Sequence, residues 1–247
     1  MIQAGAGQYI EYLANLEKVN NIVLRITSNF TTLDEKLFKH MNKFRRVDLT
    51  ASIDSTGSNY HYVRWPAQFT KIQANLNEFQ NIRSQSTTIT NLTIASVFGL
   101  NNIFYINEYL DFLEEQLAIR SDIEIQVLYL HGPDWLALEN LPVKYRPALL
   151  KYVTRALEHS VLHHPAAKMM QIFLHSVKDL LKYKQLEIDK FDKFLMFTAK
   201  FDYSTNCMFE QYNGRMYEIL GTEELDYYNR QYRLQEKFYG QGNRSRV

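Results

Sequence analysis

The stretch RVDLTASIDSTGSNYHYVRW, residues 46–65, decides the fold. Its first half alternates apolar and polar residues and is rich in β-branched side chains, which is the pattern of a strand. The pattern stops at Ser-Ile-Asp-Ser-Thr-Gly-Ser, where hydroxyls, a carboxylate and a glycine follow one another, and Arg64 and Trp65 come about ten residues later. A strand that ends in hydrogen-bonding side chains predicts a polar site at its carboxyl end.

Three further segments have the same character and extend this pattern along the chain. The predicted strands are residues 21–29, 46–54, 88–99 and 122–130. Apolar residues recur at helical spacing between them, from Leu33 to Phe44, from Phe69 to Phe79 and from Ile103 to Leu117. Thr31 or Thr32 is expected to start the first of these helices. Strands separated by helices indicate βαβ units, so we predict an α/β fold with a parallel sheet.

From residue 144 onward the sequence has helical propensity and amphipathic spacing, and its pattern predicts no strand. We therefore expect an α/β domain over residues 1–143 and a helical C-terminal region over residues 144–240. Residues 241–247 are small, polar and basic, and we expect them to form a disordered tail.

The amino-acid composition excludes several classes of function. The chain has 28 basic and 27 acidic residues, so its overall field does not attract nucleic acid or an anionic membrane. No segment approaches the ~18 apolar residues of a membrane span, and the N-terminus does not have the pattern of a signal peptide, so we expect a cytoplasmic protein. A single cysteine, Cys207, excludes an internal disulfide and any cluster held by several thiolates of this chain.

Polar side chains follow each predicted strand. They are Thr27 and Asn29, Ser52 and Asp54, Ser96 with Asn101 and Asn102, and His131. The carboxyl ends of parallel strands meet at one edge of the sheet, where open α/β sheets bind ligands. The same residue types also cap helices and form turns, and that alternative stays open for each of them.

Four segments in a fixed order carry a family resemblance: TSN (27–29), SIDSTGSNYHYVRWPAQFTKIQANL (52–76), TIASVFGLNNIFYINEYLDFL (93–113) and VLYLHGPDWLALENLP (127–142). They resemble the radical S-adenosylmethionine (SAM) superfamily, and more closely its twitch domain-containing proteins, over residues 20–145. KFDYSTNCMFEQYNGRMYEIL (200–220) continues the likeness faintly. The resemblance implies a partial (β/α) barrel in which the four strands here correspond to strands 3–6 of the radical SAM core.

The resemblance also implies roles for five residues. Ser52 would bind the SAM ribose, and Arg64 would bind the SAM carboxylate. Thr27 and Asn29 would line the pocket, and Asp54 would order the turn or reach the ligand. A planar guanidinium suits a carboxylate, and hydroxyl and amide groups suit a ribose diol. For Arg64 the alternative is stacking on Trp65 or an ion pair with Asp54.

The sequence departs from this family in its cluster ligands. Radical SAM enzymes hold a [4Fe-4S] cluster with a CxxxCxxC loop, which this chain does not contain. Their Gly-Gly-Glu-Pro element is also absent, and GAGQYIEYLANL, with Gly5 and Gly7, is the nearest string. SAM is therefore the implied cofactor, whereas the [4Fe-4S] cluster would not be ligated by this chain. The sequence indicates no catalytic residue.

The family resemblance and the missing cluster ligands together leave two functions open. The chain is either the C-terminal part of a split or truncated radical SAM enzyme, or a degenerate relative that serves as a non-catalytic binding or protein-interaction module. The first strand would expose its edge, so we expect a partner there: a separate polypeptide with the cluster loop, or a second copy in a homodimer. The substrate, a peptide or a small molecule, has no recognisable motif.

Two other groups of residues are weaker candidates. His159 and His163 lie four residues apart, a spacing that can bind zinc, but no HExxH motif accompanies them, and together with His164 we interpret them as a surface cluster. Cys207 has no histidine or basic neighbour in the sequence, so we expect a packed thiol.

Overall fold

The structure is a computed structural model that describes residues 6–182 and 189–239. The four strands are β1 (Val23–Ser28), β2 (Arg46–Ser52), β3 (Ile89–Phe98) and β4 (Glu124–Tyr129). The helices of the first part of the chain are α1 (Ala6–Ala14), α2 (Glu35–Met41), α3 (Gly57–Val63), α4 (Phe69–Ser84) and α5 (Ile106–Ile119). The helices of the second part are α6 (Arg146–Leu157), α7 (Lys168–Leu180), α8 (Asp189–Thr205), α9 (Phe209–Tyr212), α10 (Gly214–Tyr217) and α11 (Thr222–Tyr239).

The strands form one sheet in the order β1-β2-β3-β4, and every neighbouring pair is parallel. Each strand therefore pairs with the next one along the chain, as successive βα units of a barrel do. The prediction of an α/β fold with four parallel strands and a helical C-terminal region is confirmed. Each strand lies within the segment that the sequence pattern indicated.

One face of the sheet is buried under helices. Val47, Leu49 and Ala51 of β2 point to this face and belong to the same apolar core as the inward residues of α2, α4 and α5. On β3, Phe98 meets Tyr109 of α5 edge to face, with ring centroids 5.2 Å apart. Alternate residues of each strand supply this core because successive side chains of a strand point to opposite faces.

The other face of the sheet is mainly polar. It carries Arg25 of β1, Asp48, Thr50 and Ser52 of β2, and Glu124 and Gln126 of β4. Asp48 accepts two hydrogen bonds from Arg46, and the side chain of Arg25 is 82% exposed. Parallel sheets are usually covered on both faces, so this polar face is unusual for the fold.

The helix that follows β1 begins differently from the sequence expectation. We expected Thr31 or Thr32 to start it, but the N-cap is Asp34, whose carboxylate accepts a hydrogen bond from the amide of Lys36 at 3.0 Å. A carboxylate at this position satisfies a free helix amide and complements the helix dipole. The short helix α3, which begins at Gly57 with φ +55°, was not predicted, since Gly-Ser-Asn reads as a turn.

The helical C-terminal region packs onto the carboxyl edge of the sheet and onto α3. Asp202 of α8 is fully buried and accepts hydrogen bonds from the hydroxyls of Tyr62 on α3, at 2.7 Å, and Tyr228 on α11, at 2.5 Å. The amide of Phe209 donates to the same carboxylate at 2.6 Å. One apolar core continues from the sheet into this region. The predicted tail at 241–247 lies outside the described residues.

The helices in the described part of the chain are all too short or too polar to cross a membrane.

Candidate functional site

Ser52, Asp54 and Arg64 meet at the carboxyl end of β2. The Nε atom of Arg64 donates to Asp54 Oδ2 at 2.6 Å, and its Nη2 atom donates to Ser52 Oγ at 2.8 Å and also pairs with Asp54 Oδ2. The third guanidinium nitrogen, Nη1, bonds to no residue that the structure describes. The side chain of Arg64 is 36% exposed. Asp54 and Ser52 thus hold the Nε and Nη2 atoms of Arg64 in place, and the Nη1 atom is available to donate to a ligand.

Asp54 is held in place from two directions. Its Oδ1 atom accepts a hydrogen bond from the amide of Val97 on β3 at 2.9 Å, and its main-chain carbonyl accepts from Asn102 at 2.6 Å. Its side chain is only 8% exposed. A buried carboxylate needs such partners because burial of an unpaired charge is costly. Asp54 therefore joins the ends of β2 and β3 and fixes the direction of the guanidinium.

Helix α3 sets the position of Arg64, which is its C-cap residue. Asn59, on the same helix, is fully buried and accepts a hydrogen bond from Ser55 at 2.5 Å. Its amide group donates to the carbonyls of Asn101, at 3.0 Å, and Tyr212, at 3.1 Å. The helix that carries Arg64 is thus tied both to the loop after β3 and to the C-terminal region.

The two remaining predicted residues, Thr27 and Asn29, lie at the end of β1 and directly after it. Thr27 is exposed on the polar face of the sheet, and its register partner is Thr50, two residues before Ser52. Asn29 follows the strand, and its Oδ1 atom accepts hydrogen bonds from the amide and the hydroxyl of Thr31 at 3.3 and 3.0 Å. Thr27 and Ser52 therefore share one face, while Asn29 forms the turn out of β1.

Other polar residues at the strand ends have structural contacts. Ser96 lies on the helix-covered face, is 1% exposed and donates to the carbonyl of Gln126 at 3.4 Å. The side chain of Asn102 bonds to Asp54, Val97 and Gly99, so it closes the loop after β3. Ser96 therefore does not share the face of Ser52, because alternation along β3 turns its side chain toward the helices.

The structure adds a pair that the sequence did not indicate. Cys207 Sγ lies 3.7 Å from His61 Nε2, although the two residues are 146 positions apart, and Cys207 is 2% exposed. His61 Nδ1 lies 3.1 Å from the carbonyl of Ala67. The expectation of a packed thiol agrees with this burial, but Cys207 does have a histidine neighbour. Only tertiary packing brings α3 and the α8–α9 connection together.

Asp202 is a second residue that sequence reasoning missed. Burial raises its pKa to about 6, while the hydrogen bonds from Tyr228, Tyr62 and the amide of Phe209 act in the opposite direction. It lies in the segment 200–220, whose resemblance to the family is faint, and nothing in the local pattern KFDYST marks a buried carboxylate. It connects α3, and therefore the Arg64 cluster, to α8 and α11.

The histidine cluster is a local structural feature. His159 Nδ1 accepts a hydrogen bond from the amide of Val161, and its Nε2 atom lies 3.0 Å from Asp111. His164 accepts from the amide of Ala166 in the same manner. Both histidines thus cap short 3₁₀ turns.

The two cofactors of the expected family fit this chain differently. A [4Fe-4S] cluster does not fit, since the chain has one cysteine, which is buried, and the described residues contain no group of three or more potential metal ligands. The chemistry of a SAM site does fit the Arg64 cluster: a half-exposed guanidinium with a free nitrogen can bind a carboxylate, and an adjacent hydroxyl can bind a ribose.

Comparisons with protein-family models, with curated proteins and with solved structures found no match to this chain.

Proposed function

We propose that this chain is the C-terminal part of a SAM-dependent radical enzyme and that it binds SAM at the carboxyl end of β2. The observation that carries the proposal is the convergence of Ser52, Asp54 and a half-exposed Arg64 at the strand end. This is the edge at which parallel sheets bind ligands. The resemblance of residues 52–76 to the radical SAM family supports the same assignment.

Each residue of the cluster has a separate task in this proposal. Arg64 binds the ligand carboxylate through the donors that Asp54 and Ser52 leave free. Ser52, on the polar face of the sheet, hydrogen-bonds the ribose, and Thr27 and Asn29 line the neighbouring wall. Asp54 acts as a positioning residue, since its carboxylate is already occupied by Val97 and Arg64.

The cluster ligands of such an enzyme must come from residues outside this sequence. We therefore assign SAM binding to this chain and derive no radical step from its own residues. The second candidate function is a non-catalytic binding or protein-interaction module on the same scaffold. The single, buried cysteine favours that candidate.

A calorimetric titration with SAM tests the binding proposal. We expect wild-type protein to bind and Ser52→Ala to bind about fivefold to tenfold more weakly, because a net hydrogen bond contributes about 1 kcal/mol. Ser58→Ala is the matched control, since Ser58 is an exposed serine six residues away on α3. Absence of SAM binding by the wild-type chain, or an equal effect of the two substitutions, would contradict the proposal.

The unpaired edge of β1 supports the proposal that this chain binds a partner. In the described residues β1 pairs only with β2, whereas the opposite edge strand, β4, is flanked by α7. Val23 on β1 is 43% exposed. An unpaired edge and an uncovered face of a parallel sheet are both open to pairing with another strand. We infer that a second polypeptide, or a second copy, adds to this edge.

Sedimentation and hydrogen exchange of the isolated chain test this interface. We expect association at micromolar concentrations with slow exchange of the β1 amides. Val23→Lys, which places a charge on the edge strand, should give a monomer in which the β1 amide hydrogens exchange fast. Met169→Lys, at an exposed site on α7, is the control and should have no effect. A wild-type monomer whose β1 amides are as protected as those of β3 would argue against an edge partner.

A further inference from the structure

A groove of about 660 Å³ lies in the C-terminal region. Its walls come from α8, α11 and the turn after β4 that contains Trp135. Its volume falls within the range of about 300–1,000 Å³ that is typical of sites for small organic ligands. The SAM proposal makes no use of this groove.

The walls of the groove are mainly apolar although they face solvent. Phe238 is 72% exposed, Met196 is 44% exposed and Phe197 is 39% exposed. The indole ring of Trp135 also lines the groove and lies 6.1 Å from the ring of Phe197. A contiguous exposed apolar surface of this kind marks a site that binds an apolar group.

The charges of the groove all have one sign. Lys193 and Lys200 lie seven residues apart on α8, which places them on the same side of the helix about 10 Å apart. The other lining residues include no carboxylate. Lys200 forms no ion pair with any residue that the structure describes. An apolar wall next to the Lys200 ammonium group is complementary to a molecule with an apolar body and one anionic end.

We propose that this groove binds a free long-chain carboxylate, with its hydrocarbon chain against Phe197, Met196 and Phe238 and its carboxylate near Lys200. An unbranched hydrocarbon chain can lie along the apolar wall, and a carboxylate supplies the negative charge that the lining does not contain. This site is independent of the Arg64 cluster.

Calorimetry with decanoate and with 1-decanol, its uncharged counterpart, tests the proposal on the full chain. We expect Lys200→Gln to weaken decanoate binding by up to about fivefold, the effect of one exposed ion pair, and to leave decanol binding unchanged. Phe197→Ser should weaken the binding of both molecules. Lys151→Gln, at an exposed lysine of α6, is the matched control. Thermal melting of each variant confirms that the fold is kept.

Four results would overturn the assignment. One is absence of decanoate binding, and another is decanoate binding that neither Lys200→Gln nor Phe197→Ser changes. Binding only to anionic phospholipid vesicles would mean that the groove contacts a membrane instead of a free carboxylate. Binding that appears only after removal of residues 240–247 would mean that the end of the chain covers the groove.

Discussion

Asp202→Ala is expected to lower the free energy of unfolding by roughly 3–5 kcal/mol at pH 5, because it leaves three buried donors unpaired. These donors are the hydroxyls of Tyr62 and Tyr228 and the amide of Phe209, all within 2.7 Å of the carboxylate. Each unpaired buried polar group costs about 1–3 kcal/mol. These hydrogen bonds connect α8 to α3 and α11. The substitution should therefore also weaken the packing of α3, the helix that positions Arg64.

Urea unfolding followed by circular dichroism measures this loss. Asp226→Ala on α11 is the matched control, because Asp226 is exposed, and it should change the unfolding free energy by less than about 0.5 kcal/mol. Equal effects of the two substitutions would show that the Asp202 network does not stabilise the C-terminal region.

The pH dependence of this stability has a definite sign. Burial raises the pKa of Asp202 from 3.8 to about 6, so the folded protein holds this proton more tightly than the unfolded chain does. The corresponding stability is fully present below pH 4 and is lost as the pH rises through 6. Wild-type protein should therefore lose up to about 3 kcal/mol relative to Asp202→Asn between pH 4 and pH 7. A gain over this interval would contradict the burial of an ionisable carboxyl group.

Arg64→Ala is expected to weaken SAM binding by roughly tenfold to a hundredfold. A hydrogen bond to a charged group contributes about 1.5–3 kcal/mol, and Arg64 is the residue of the cluster that meets the ligand carboxylate in our proposal. The substitution also leaves Asp54 without its cation, so the fold must be checked by thermal melting. Arg64→Lys keeps the charge but loses the planar fork, and should recover only part of the affinity. Full affinity in Arg64→Ala would remove Arg64 from the site.

Much of the fold follows from local patterns in the sequence. Strands such as β2 have alternating apolar residues and end in turn residues, so both their position and their parallel pairing could be predicted. Helix α3 could not, because it has seven residues and begins with Gly-Ser-Asn. Its stability comes from contacts with Tyr212 and Asp202, which are distant in sequence.

The candidate site was predictable only in part. For Arg64 the sequence left open an ion pair with Asp54 or stacking on Trp65 as the alternative to a ligand role, and the structure shows the ion pair. The contacts of Asp54 with Val97 and Asn102, the position of Cys207 beside His61, and the buried Asp202 all depend on tertiary packing between distant segments. Single-sequence patterns contain no signal for such contacts.

The most direct test of the SAM proposal compares two ligands on two proteins. SAM and 5′-methylthioadenosine share the adenosine group, but only SAM has the amino-acid carboxylate that Arg64 would bind. By calorimetry, we predict that Arg64→Ala weakens SAM binding at least about tenfold and changes 5′-methylthioadenosine binding by less than about twofold. An equal loss for both ligands, or no loss for either, would contradict the assignment of Arg64 to the ligand carboxylate and with it the proposed site.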